Sequence, residues 1–195
     1  MKKCTVHIVG LSPYSQSRKT DHVPMKDRES HDDYDKRVWR DKCTTTADGV
    51  VAIPAMGFKQ ALDSVAYKLG EKVPNRRGAT YKNFFASGVL CEADAPIHAN
   101  GKMLKPGDAH PVTISANADG VRGSGKRVPR TFPSFSTWEA EPQFIITDDI
   151  ISQSVFEQHI KSCGMIVGVG RFRPEKGGLN GRFRVTKIEW EDIVL

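Results

Sequence analysis

The order of segments readable in this 195-residue chain predicts an α+β fold with a ferredoxin-like β-α-β-β-α-β core carrying large insertions. Three observations carry that expectation. A Val- and Ile-rich strand begins almost at the N-terminus, helical apolar spacing appears at 54–70 and again after 150, and short β-like segments lie between and after those helices. One domain is expected over 1–195, with a charged insertion or arm at 14–48 and a middle insertion at 72–130.

Residues 4–12, CTVHIVGLS, alternate loosely and predict the first strand, with His7 as a core or pleat histidine. From Tyr14 to Asp48 acids and bases nearly cancel and aliphatic residues are scarce, which predicts a projecting polar arm ordered mainly by a partner. Tyr34 and Trp39 are its exceptions, placed to anchor the arm or to stack on a base. Pro54 at a first-turn position and Gly70 as a C′ residue bracket the clearest helix. Phe58, Ala61, Leu62, Val65 and Leu69 form its core stripe; Lys59 and Gln60 lie off it, and with the first-turn amides they are a candidate phosphate site.

The middle insertion holds strand candidates at 83–92 (NFFASGVLCE) and 111–116 (PVTISA), punctuated by NRRGATYK at 75–82 and GVRGSGKRVPR at 120–130. The last of these joins Arg122, Lys126, Arg127 and Arg130 to three glycines without an acid, a composition suited to wrapping a phosphate backbone. TWEAEPQFIITDD at 137–149 reads as a strand. In the helix that follows, Ser154 with Glu157, or Ser152, is the cap. Phe156, Ile160 and Cys163 are its stripe, Gly164 its stop, and His159 faces solvent. A terminal strand closes the pattern. RNA-recognition modules share this RRM-like layout, whose open sheet face holds single strands.

Lysine plus arginine exceed aspartate plus glutamate by 29 to 23, giving a formal charge of +6 and a pI near 9.2 that favours phosphate-bearing polymers or acidic surfaces as partners. Cys4, Cys43, Cys91 and Cys163 are scattered without a CxxC pair, so reduced thiols and no metal site are expected. The N-terminal apolar run is too short for a signal or membrane segment, and a soluble cytoplasmic protein without cofactor or membrane partner is expected.

The stretch VGVGRFRPEKGGLNGRFRV, 167–185, holds five glycines, four arginines and a lysine. Its glycines, Gly168 and Gly170 first among them, are suited to positive φ and to close approach of the backbone to a ligand, and Arg171, Arg173, Lys176, Arg182 and Arg184 to phosphate contacts. No Gly-Lys-Ser/Thr follows, and GVGRFR lacks the third glycine of the dinucleotide fingerprint, which argues against a nucleotide-hydrolysing pocket.

Over roughly 137–188, from FIITDDIISQSVFEQHIKSCG through MIVGVGRFRPEKGGLNGRFRV, the sequence resembles the RAMP (repeat-associated mysterious protein) superfamily, especially the crRNA-binding backbone subunits of CRISPR effector complexes. The resemblance implies a modified RNA-recognition fold whose insertions act as finger and thumb elements, with copies stacked along a guide RNA in antiviral defence. It also implies that the first turn of the 54–70 helix, with Lys59, and the glycine-rich loop lie beside the RNA backbone. At 195 residues the chain is short for such a subunit, so a reduced or solitary version is expected.

The leading expectation is therefore a non-catalytic binder of single-stranded RNA, with single-stranded DNA as the alternative ligand. It would assemble side by side with copies of itself or other CRISPR effector subunits, and its binding energy would be largely electrostatic. Arg122, Lys126, Arg127, Arg130 and the glycine-rich cations would neutralise phosphates while Tyr34, Trp39 or Phe132 stack on bases. Two alternatives stand beside it. His31, Asp32 and Asp33, with Asp35, are metal-ligating types that would suit a metal-dependent endoribonuclease. In the other, the basic loops belong to a mobile-element-encoded module that docks on a CRISPR complex.

Overall fold

Alternation in the first strand decides which side of the sheet becomes the core. Strand β1 (Lys2–Gly10) buries Cys4, Val6 and Ile8, while Lys3, Thr5, His7 and Val9 point the other way. The computed structural model describes residues 1–117, 125 and 127–193. After β1 come β2 (Tyr14–Ser15), α1 (His31–Val38), β3 (Ala52–Ile53), α2 (Ala55–Leu69), α3 (Tyr81–Gly88), β4 (Val89–Cys91), β5 (Ala95–Ala99) and β6 (Lys102–Met103). The hairpin β7 (His110–Asn117) and β8 (Arg127–Phe135) follows, then β9 (Glu139–Ala140), β10 (Gln143–Ile146), α4 (Gln153–Ile166) and β11 (Phe183–Asp192).

β1 is the spine of the larger sheet. β11 runs antiparallel along one edge, from Lys2 opposite Asp192 to Gly10 opposite Phe183. The other edge is shared, β10 pairing with Lys2–Thr5 and β9 with Ile8 and Val9. β4 continues beyond β10, and β5 and β3 beyond β9. The single strand expected at 137–149 is thus two, because Pro142 has no N–H for a ladder; its carbonyl accepts from Val6 N at 3.0 Å. Helices α2 and α4 close one face of the sheet. Phe144 of β10 meets Phe58 of α2 with ring centroids 6.0 Å apart and Phe156 of α4 at 5.4 Å, and Phe156 also meets Trp190 of β11 at 5.6 Å.

A second, three-stranded sheet, β2-β8-β7, supports the 14–48 segment, which the chain itself orders rather than leaving to a partner. Tyr14, Gln16, Val38, Trp39 and Cys43 are buried. So is an ion pair: Lys42 Nζ lies 2.5 Å from Asp35 and 2.6 Å from the Thr131 carbonyl, while Asp35 accepts from Thr131 N at 2.6 Å. These two charges of the polar arm can be buried because they pair with each other and with the Thr131 backbone of β8. Ser30 caps α1 by accepting from Asp33 N at 3.1 Å.

Three local expectations are corrected. The strand expected at 83–92 begins as α3, because Tyr81 and Phe85, four residues apart, share one buried face; only Val89–Cys91 is extended. His159 is fully buried rather than exposed, stacked on Phe85 at 4.3 Å with Nδ1 2.8 Å from the Val155 carbonyl. Gly164 does not stop α4, which runs to Ile166 from its Ser152 cap. A Cβ there would lie 2.2 Å from the Phe183 carbonyl, so this glycine lets helix and strand touch.

The four thiols are free, and burial pushes Cys4, Cys43 and Cys91 up to about 12, which makes them packing groups rather than nucleophiles. Among the described residues, no helix is long and apolar enough to cross a membrane.

Candidate nucleic-acid interface

A groove of about 370 Å³ lies where the first turn of α2 faces the glycine-rich loop. Pro54, Gly57 and Gln60 form one wall, Gly170, Arg171 and Arg173 the other, and Gln16, Ser17, Arg18 and Thr44 the floor and rim. Both segments stand out in the sequence as candidate phosphate contacts. The helix presents Gln60 rather than Lys59, which is turned the other way: its ammonium binds Asp63 and the Phe85 carbonyl.

Arg171 is the central side chain. Its Nη1 donates to Ser17 Oγ at 3.2 Å, and its guanidinium lies 3.4 Å from the Phe132 ring centroid and 4.5 Å from that of Phe172. Its Nε is buried without a hydrogen-bond partner. Burial, reinforced by Arg130 and opposed by Asp35, lowers its pKa to about 10, so it stays charged at neutral pH. No carboxylate lies within ion-pair distance of it among the described residues. Lys42 covers the Phe132 ring from 4.5 Å, and Arg130 lies 3.7 Å from Asp35.

Arg173 is spent on the loop itself. Its Nε and Nη2 donate to Glu175 at 2.9 and 2.7 Å, and Nη1 to the Gly170 carbonyl at 3.3 Å. Burial alone would raise the Glu175 carboxyl, but the Ser64 and Arg173 hydrogen bonds outweigh it and hold it below its usual range. Ser64 belongs to α2, so this carboxylate ties loop to helix.

The glycines serve the loop's own closure. Gly170 has φ 77°, and a Cβ on it would lie 2.5 Å from the Ser15 carbonyl. The amides of Gly168, Val169, Arg171, Gly178 and Gly181 donate to Cys163, Gly181, Ser15, Arg173 and Pro13 carbonyls at 2.8 to 3.2 Å. With those donors engaged, the polar groups this wall leaves for a ligand are its side chains.

The other expected residues are dispersed. Lys176 is exposed, 3.7 Å from Glu175; Arg182 sits over Ser12; Arg127 lies along β7 on Ser115; Arg184 is on the open sheet face, opposite Val9. Arg122 and Lys126 lie outside the described residues. The expected stacking rings are already engaged: Lys42 and Arg171 both lie over the buried Phe132 ring, Trp39 is buried with Arg40 over it, and Tyr34 donates to the Val23 carbonyl at 2.7 Å. His31, Asp32 and Asp33 are exposed in the first turn of α1, Asp33 accepting from Ser30 Oγ at 2.7 Å, and no group of three metal-ligating side chains converges among the described residues.

The open sheet face is rich in carboxylates. His7 lies between Glu141 at 3.1 Å and Glu189 at 3.2 Å, Lys3 meets Glu92 at 2.6 Å, and Lys187 meets Glu189.

No known family's sequence profile matches the chain, and no curated protein matches it in sequence. Solved structures do. A chain in the cryo-EM structure of the Type III-B Cmr-beta bound to cognate target RNA superposes with a TM-score of 0.55 at 14% identity, over 97% of this chain and 60% of that one. What is shared is the fold. The present chain therefore spans 60% of that neighbour's length. Cmr6 from Pyrococcus furiosus superposes with a TM-score of 0.52 at 13% identity, over 95% of this chain and 99% of its own. A chain of a CRISPR RNA-guided surveillance complex gives a TM-score of 0.41 at 10% identity, over 95% and 67%.

Proposed function

We propose that this protein is a CRISPR-associated subunit of RAMP type that holds single-stranded RNA in the groove between α2 and the glycine-rich loop, as a binding subunit of a larger assembly. The antiparallel order β11-β1-β10-β4, with α2 and α4 as the crossovers, supports a ferredoxin-like core. In this reading the β7/β8 hairpin with Arg127 and Arg130 is a thumb-like element, and the 14–48 segment a second insertion packed beneath it.

The observation that carries the reading is Arg171, a charged, half-buried guanidinium that opens on the groove without a carboxylate partner and with an unpartnered Nε. Such a group is stabilised by an anion that offers two oxygens to the planar guanidinium fork, which a phosphodiester supplies. Fluorescence anisotropy with labelled single-stranded RNA tests it. Wild-type protein is expected to bind with affinity that falls steeply with salt, and Arg171→Gln to weaken binding about thirtyfold, ~2 kcal/mol for a charged hydrogen bond. Equal affinity of the two proteins would overturn it. A parallel titration with single-stranded DNA reports whether the 2′-hydroxyl matters.

A further inference from the structure

We infer that a second phosphate-backbone surface lies on the turn joining α2 to α3, at the end of α2 opposite the groove. The inference rests on the nucleic-acid reading above and extends it to residues that the glycine-rich loop does not include. α2 has fifteen residues, so about 22 Å of helix separates the two places.

From Lys68 to Lys82 the chain carries five cations, Lys68, Lys72, Arg76, Arg77 and Lys82, and one carboxylate, Glu71. All five are exposed. The turn is built rather than loose: Lys72 bridges Thr80, Val73 N donates to the Ala79 carbonyl at 2.9 Å, and Ala79 N to the Arg76 carbonyl at 3.2 Å. Asn75 at φ 60° and Gly78 at φ 75° fold it sharply, which leaves Arg76 and Arg77 projecting at its tip. Glu71, the one acid, directs Oε2 inward, where that atom is buried 4.0 Å from His159 Nδ1.

Among the described residues none of the five cations forms an ion pair, whereas Lys3, Arg37, Lys42, Lys59, Arg173 and Lys187 each do. Two aromatic rings lie among them. Lys82 Nζ is 5.0 Å from the centroid of Tyr67, which is 66% exposed, and Arg76 Cζ is 5.4 Å from that of Phe84. Crowded, uncompensated cations repel one another and release that repulsion on a polyanion, and the exposed Tyr67 face adds a surface on which a base can lie. Such contacts position a strand without reading its sequence.

The test compares wild type, Lys72→Gln/Arg76→Gln/Arg77→Gln and Arg171→Gln in anisotropy titrations of single-stranded RNA across a salt series, with circular dichroism confirming the fold of each. With about 0.7 counterions released per single-strand phosphate contact, the triple variant is expected to lose about two from the log–log salt slope, and at least tenfold in low-salt affinity. A triple variant with wild-type slope and affinity, beside a weakened Arg171→Gln, overturns this inference and leaves the groove reading standing. Wild-type protein that binds no RNA overturns both. Poly-glutamate that binds wild type but not the triple variant, while RNA binds both equally, assigns the surface to an acidic protein and overturns the inference too.

Discussion

The groove and the open face of the large sheet draw on the same charged residue types and end electrically opposite. On the open face Lys3, His7 and Lys187 are each matched by a glutamate, and Glu139 and Glu191 stand there beside Arg184, so acids outnumber the cations left over. In the groove Arg173 is matched by Glu175, but Arg171 has no carboxylate and Arg18 stands exposed at the rim. A count of cations therefore does not locate a binding surface in a basic chain; what matters is the balance of cations and acids that the fold leaves on each surface. The carboxylates that crowd this face would repel a phosphate backbone, which is why the proposed function places RNA in the groove instead.

The comparison breaks most severely if the platform behind the groove is removed. Asp35→Ala leaves Lys42 buried and uncompensated under Phe132 and should cost about 3–5 kcal/mol, read by urea unfolding, while destroying the surface on which Arg171 rests. Next comes the seam of the groove. Gly170→Val places a Cβ against the Ser15 carbonyl at positive φ and should cost about 2–3 kcal/mol, lowering Tm by roughly 4–12 °C and weakening RNA binding with it.

His159 belongs to neither region and serves as a control on the fold. Burial lowers its pKa, with the Val155 carbonyl and Glu71 opposing; the folded state therefore keeps it neutral. Stability from this group is complete above the ordinary histidine value of about 6.5 and is lost as pH falls through the lowered folded value, since the unfolded chain then binds the extra proton. His159→Leu should flatten that acid limb in pH-dependent thermal unfolding. The smallest effect is expected on the sheet face: Glu189→Gln with Glu191→Gln should change stability by less than about 0.5 kcal/mol and RNA affinity by less than about twofold.

Much of the frame was legible because it rests on local rules. Alternation marks β1, and Pro54 and Gly70 bracket α2; for α4 the sequence offers Ser154 or Ser152, and Ser152 is the cap. What was not legible depends on residues distant in sequence. Adjacent Phe84 and Phe85 read as strand until α2 and His159 are there to receive a helical face, and His159 reads as surface until Phe85 covers it. Gly164 reads as a helix stop because nothing local announces Phe183 against it. The groove was half legible: the glycine-rich loop and the first turn of α2 stand out, but one helical position separates Gln60, which lines the groove, from Lys59, which does not. Gln16, Ser17 and Arg18 carried no sequence signal, since β2, two residues long, is what brings them there.

The central claim is where the RNA lies, and photocrosslinking tests it most directly. Single-stranded RNA carrying 4-thiouridine would be irradiated with the wild-type protein and the crosslinked peptides mapped by mass spectrometry. Crosslinks within 14–18, 54–60 and 167–173 are the predicted result. Crosslinks concentrated on 3–9 and 184–191, the open sheet face, would contradict it.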